Sequence, residues 1–328
     1  MIKINFKIKN IIMRIFALLF FLFLIFSYRY SYTGVPSDGK QTGDTAKIPV
    51  VKTWKLGGSG NVSFAQGYLK NWVEGGENSL STLCVLNIFA NFTKGSLSWE
   101  NTAELKYGLL KSGNRQMRKN EDKIELNSKL GLKAYKSLYY SMLINFKTQG
   151  FRGYDYPTDS TRLLVSDFIA PAYLIFSVGI DFKPGDILSV MLSPVTSRTI
   201  FVRDGGKIND TTLIPGTVDQ TKYGLKPGKT SKEELGAYMK SVFKYDIIKN
   251  VQLINRLDLF TDYMSHPENI DVNWEVSLTM KINKYLATTV NTRLVYDDNI
   301  KIPVPDSDKT TKKIQFKEVL GVGFSYMF

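Results

Sequence analysis

Strict alternation of apolar and polar residues, repeated along almost the whole chain, most constrains its fold. In Ile124 to Ala134 one face holds Ile124, Leu126, Ser128, Leu130, Leu132 and Ala134. The other face holds Glu125, Asn127, Lys129, Gly131 and Lys133. Residues 97–109 and 273–282 repeat the pattern, with Trp274, Val276, Leu278, Met280 and Ile282 set against Asn273, Glu275, Ser277, Thr279 and Lys281. Such a period-two pattern belongs to strands with one greasy and one polar face. Segments of about 9–11 alternating residues are what a tilted, membrane-crossing β-barrel needs.

This pattern predicts strands at 54–66, 79–92, 96–110, 122–134, 138–149, 171–182, 187–202, 234–246, 250–262, 272–282, 286–296 and 314–328. Ten of the eleven prolines fall between these runs or at a first residue, and only Pro194 lies inside one. Segment 234–246 stays open, because Leu235, Tyr238, Met239 and Val242 also have helical spacing. An even strand count, expected of such barrels, favours the strand. Connections alternate between tight turns and longer loops, the longer ones at 67–78, 111–121, 150–170, 203–233, 263–271 and 297–313. The fold class is therefore all-β, a transmembrane antiparallel up-and-down barrel of about 12 strands. Its short turns are expected in the periplasm and its long loops outside.

The two ends of the sequence point the same way. Lys3, Lys7, Lys9 and Arg14 precede the uncharged apolar run Ile15 to Phe26, so residues 1–33 read as a cleaved signal peptide for export through the Sec pathway. Residues 34–50 read as a flexible periplasmic lead-in, and 51–328 as the barrel, with a long extracellular loop at about 203–233. At the other end Phe324, Tyr326 and Phe328 share one strand face. They resemble the C-terminal assembly signal of outer-membrane barrels, in which the last strand closes against the first.

Net charge is +13, from 43 basic and 30 acidic residues. Residues 1–33 hold five of the basic residues and no acidic one, so the remainder carries +8. An exported chain of this charge meets outer-membrane lipid and anionic lipopolysaccharide rather than nucleic acid. The barrel-assembly machinery is an expected partner, and an envelope protein is a further one. The single cysteine, Cys84, excludes an internal disulfide and a cysteine metal cluster.

Several stretches resemble a known family. They are Asn71 to Ser79 (NWVEGGENS), Leu259 to Tyr263 (LFTDY), Ile270 to Glu275 (IDVNWE), Met280 to Leu286 (MKINKYL), Leu294 to Asp298 (LVYDD) and Gln315 to Tyr326 (QFKEVLGVGFSY). Together they look like the Bacteroidota outer-membrane proteins grouped as domain of unknown function 3078. The resemblance implies a Gram-negative source and a barrel fold. It implies no activity and carries over no functional residue.

The polar face supplies the candidate chemistry. Glu100, Glu104, Lys106, Glu125, Lys129, Lys133, Lys147, Arg256, Asp258, Glu275, Lys281, Arg293 and Lys317 are assigned to the lumen. Both signs occur, and in a barrel this narrow they are expected to pair across the interior. No metal site and no cofactor is assigned. Asp297, Asp298 and Asn299 with Asp306 and Asp308 have the oxygen ligands for Ca²⁺, but the same residue types form ordinary solvated turns. Trp72 with Gly75 and Gly76 reads as an interfacial anchor, or as a binding edge. Loop 203–233, rich in lysine, reads as a lumen plug, a lipopolysaccharide contact or a solvated loop.

The only histidine, His266, sits in Ser265-His266-Pro267. A serine hydrolase would have to use it, and the sequence holds no G-x-S-x-G, H-E-x-x-H or P-loop pattern. The chain is expected not to be an enzyme. Binding or passage of a small solute through a narrow charged lumen is the leading expectation. A structural or accessory barrel without a pore is the alternative, and a surface hydrolase built on His266 the third.

Overall fold

The structure, a computed structural model, describes residues 53–70, 76–158, 161–209, 212–300, 302–303, 310–311 and 313–328. The expected signal peptide and lead-in lie outside the described residues, as does Trp72. Twelve strands close into one barrel. In chain order they are β1 (Trp54–Gly67), β2 (Ser79–Lys94), β3 (Leu97–Ser112), β4 (Arg118–Tyr135), β5 (Leu138–Thr148) and β6 (Ala172–Phe182). Then come β7 (Leu188–Phe201), β8 (Ser231–Ile248), β9 (Val251–Asp262), β10 (Asp271–Lys281), β11 (Leu286–Tyr296) and β12 (Gln315–Met327). Each strand pairs antiparallel with its sequence neighbours, and β12 pairs with β1. The segment left open between strand and helix is β8, paired along both edges.

Alternation decides which side chains face out. Val62, Leu105, Ile144, Phe176, Leu320 and Phe324 are exposed on the outer wall. In water such a surface would be costly, whereas in hydrocarbon it costs nothing and the closed ladder leaves no unpaired backbone edge. No helix among the described residues is long and apolar enough to cross a membrane; the strands do the crossing. The molecule is a transmembrane barrel of the outer-membrane type.

The wall is adjusted at three places. Pro194 interrupts the ladder of β7, because it has no N–H to donate. The register shifts there against both β6 and β8. Ser193 Oγ donates to the Val178 carbonyl at 2.7 Å across this bulge. The bulge turns Arg198 and Ile200 inward, so the inward set changes from odd to even numbers along the strand. At the second place β4 begins at Arg118, so the expected loop 111–121 shortens to 113–117. A register shift opposite Gly108 absorbs the extra residue.

The third place is the closing seam. Phe328 exchanges both backbone hydrogen bonds with Gly58, at 3.0 and 3.1 Å. Its ring covers Gly58 so closely that a Cβ there would stand 2.5 Å from Phe328 Cζ.

Tight turns join strands at one end of the barrel and long loops at the other. At the long-loop end the described residues of segments 149–171 and 202–230 pack together over a small apolar core of Ala170, Val202, Val218 and Leu225 on Ile200. Tyr223 donates to the Val165 carbonyl at 2.7 Å. A short 3₁₀ turn, Gln220–Tyr223, is capped by the Asp219 carboxylate and ends at Gly224 in the left-handed region. The described residues of the loop expected at 203–233 thus form a packed cap over the mouth rather than a solvated loop, and the last residues of that range belong to β8.

Candidate functional site

The interior is polar, and its charges form three tiers. The middle tier centres on Lys123 of β4. Its ammonium contacts Glu104 at 2.6 Å, Glu125 at 2.9 Å and Glu275 at 3.1 Å. Lys106 contacts Glu104 at 2.9 Å and Glu275 at 3.7 Å. Arg256 approaches Glu104 at 3.5 Å, and Arg293 approaches Glu275 at 3.4 Å. Lys240 pairs with Asp258 at 3.0 Å, and the Tyr238 hydroxyl donates to the same carboxylate at 2.7 Å. Lys317 reaches the Glu121 carboxylate and the Asn120 carbonyl of β4.

Strand order shows what these pairs do. β4 and β10 are six places apart in the ring of twelve whichever way one counts, and so are β3 and β9. Lys123–Glu275 and Arg256–Glu104 therefore bridge the full width of the lumen. Lys123 is 3% exposed and Glu275 6%. Beside them, between Lys106, Lys123, Glu275, Arg293 and Lys317, remains a cavity of about 30 Å³, which is water-sized.

Toward the tight turns, Lys129 contacts Asp181 at 2.5 Å and Glu100 at 3.3 Å. Ser189 Oγ donates to Asp181 at 2.8 Å, and Lys183 pairs with Glu100. Toward the long loops, Arg198 is forked between Glu234 and Asp271, the latter at 2.6 Å. Lys232 adds a contact to Glu234 at 2.6 Å. Asp297 and Asn299, just past β11, fold onto this tier. The Asp298 N–H donates to Asp271 at 2.9 Å, and the Asn299 side chain donates to Glu234 at 3.3 Å. Burial, reinforced by neighbouring Asp271, pushes the Asp297 carboxyl up to about 6. Of the residues suggested for Ca²⁺, Asp297 is therefore tucked against the mouth rather than solvated, and Asp306 and Asp308 lie outside the described residues.

Glu100, Glu104, Lys129, Arg256, Asp258, Glu275 and Arg293 all stand in these tiers. Sequence reasoning missed Lys123, Asp181, Lys183, Arg198, Glu234, Lys240 and Asp271. Lys123 shares its parity with Glu125 and was legible; Arg198 was hidden by the bulge at Pro194. Phe324, Tyr326 and Phe328 lie on the outer face, each at least 60% exposed. His266 lies in the exposed loop 263–270, its ring 3.2 Å from Glu268.

Comparison with known proteins adds a family match over part of the chain. Residues 64–154 match the protein family of unknown function DUF3078. That stretch runs from the end of β1 to the start of the cap and includes Glu100, Glu104, Lys123, Glu125 and Lys129. Nothing in the DUF3078 description names an activity. No match was found among curated proteins. The chain is similar to the COG4313 outer membrane channel from Pseudomonas putida F1, at 10% identity over 88% of this chain and 100% of that one, with TM-score 0.40. It is also similar to the translocator domain of the autotransporter NalP from Neisseria meningitidis, at 9% identity over 86% and 90%, TM-score 0.37. A third is the outer membrane phospholipase A from Escherichia coli, at 11% identity over 83% and 89%, TM-score 0.31.

Proposed function

We propose that this protein binds or passes a small polar solute through a lumen held shut at mid-height by ion pairs. The observation that carries the reading is the pair of full-width bridges, Lys123–Glu275 and Arg256–Glu104. A barrel that needed only stability would do as well with an apolar fill, because replacing buried ion pairs by packed hydrophobic groups is often neutral or stabilising. Charged groups along the whole interior fit a lumen that is wetted when the bridges part. The protein is exported through the Sec pathway and sits in the outer membrane, with its short turns in the periplasm and its cap outside. Lipopolysaccharide and the assembly machinery are its partners, and it is not an enzyme. His266, held by Glu268 in an exposed loop, has no part in this scheme.

The second reading is a sealed accessory barrel, favoured by the near-complete burial of Lys123 and Glu275. Planar-bilayer conductance with liposome uptake separates the two. Wild type should show sparse openings, and Glu104→Gln with Glu275→Gln should show frequent ones. Silence from both, in protein that runs as a folded heat-modifiable band, rejects passage and leaves the sealed barrel.

A further inference from the structure

The middle tier is not electrically balanced. Its cations are Lys106, Lys123, Lys147, Lys240, Arg256, Arg293 and Lys317, and its carboxylates are Glu104, Glu121, Glu125, Asp258 and Glu275. Seven against five leaves an excess of two positive charges. The tier below is even, with Lys129 and Lys183 facing Glu100 and Asp181.

Lys147 is the group whose charge is left over. It stands on the lumenal face of β5, two residues from buried Asn145, and directly opposite Glu125 of β4. Glu125 is already taken: Lys123 holds it at 2.9 Å and the Asn145 amide donates to it at 3.0 Å. Among the described residues, Lys147 has no carboxylate within 4.0 Å. Its other cross-strand neighbour is Tyr173, which brings no charge.

An ammonium with no carboxylate in contact, inside a low-dielectric wall, attracts whatever small anion can reach it, and rings of lysine and arginine are how pores select anions and phosphates. We infer that the middle of the lumen, once the Lys123–Glu275 and Arg256–Glu104 bridges part, is a binding site for a small oxyanion, with Lys147 as its primary contact and the surplus positive charge of the tier as its field. This rests on the proposed passage or binding of a solute and names that solute's class.

The test uses full-length protein folded in detergent, with inorganic phosphate as the probe and chloride at matched ionic strength as the reference. The readout is the temperature at which the folded, heat-modifiable band disappears. Phosphate should raise it for wild type and for Lys147→Arg, and the rise should be lost in Lys147→Met and in Lys147→Gln, which guards against one variant failing to fold. No rise in wild type, or an equal rise in the neutral variants, overturns the site. Reversal potentials across a KCl gradient give the second arm. A phosphate response with a silent bilayer rejects passage and keeps the site. Openings without anion preference and without a phosphate response reject the site and keep passage.

Discussion

At the scale of single residues, two groups carry opposite consequences of burial. Asp297 is a carboxyl forced toward its neutral form, first by burial and then because ionising it would set a third carboxylate beside Asp271 and Glu234 around Arg198. Its folded value, about 6, lies above the ordinary 3.8. The fold therefore holds a proton that the unfolded chain has lost between those pH values. Stability falls as pH rises from about 4 to about 6 and stays lower above that, by at most about 2–3 kcal/mol. Asp297→Asn should flatten this step, read as the difference between wild-type and variant urea midpoints at pH 4 and pH 7. Lys123 shows the other case. Losing it leaves Glu125 with no cation within 4.0 Å among the described residues and only Lys147 opposite it on β5, whereas Glu104 and Glu275 keep Lys106. Lys123→Met should cost about 3–5 kcal/mol. Adding Glu125→Gln should recover a clear part of it in the same refolding titration, because the orphaned charge goes with it.

At the scale of elements, the decisive features are where strands break their own rule. Pro194 was visible as the single proline inside a strand run, but its effect on facing needed the partners. Only the paired registers of β6 and β8 show that the shift falls there and sends Arg198 inward. Segment 231–248 has helical spacing over a few residues, yet edges of β7 and β9 that would otherwise lie unpaired in lipid force it into a strand. The β12–β1 seam is the third case. Gly58 leaves the space that the Phe328 ring fills, so any side chain there competes with the ring. Gly58→Val should lower the amount of folded, heat-modifiable protein in membranes. In a chain lacking Phe328 the same change should cost less than it does in wild type, because only the Asn87 carbonyl, 2.6 Å from a Cβ at that position, then remains to be displaced. Additive losses from the two changes would show that the ring and Gly58 do not share the space.

At the scale of the whole molecule, barrel and cap are held by different forces. The barrel closes on itself through twelve ladders, and the cap relies on a small apolar core around Val218, which is 2% exposed. A charge buried there without a partner is expensive. Val218→Asp should make segment 202–230 several-fold more sensitive to limited proteolysis while the barrel fragment stays folded. If cleavage is unchanged, the apolar core is not what holds the cap.

Period-two alternation and the spacing of prolines, with the even strand count deciding 234–246, were enough to place every barrel strand to within four residues at either end, because facing in a β-strand is a local property read from successive side chains. The pool of lumenal charge was legible for the same reason: Glu104, Glu275 and Arg256 show their parity in any short window. Pairing was not legible. Lys123 and Glu275 are 152 positions apart, and they meet only because closure sets β4 opposite β10. The leftover charge on Lys147, the folding of Asp297 onto the mouth and the ordered cap are likewise products of tertiary structure. Each depends on which segments meet in space, and the one-dimensional pattern that builds the wall carries no information about those meetings.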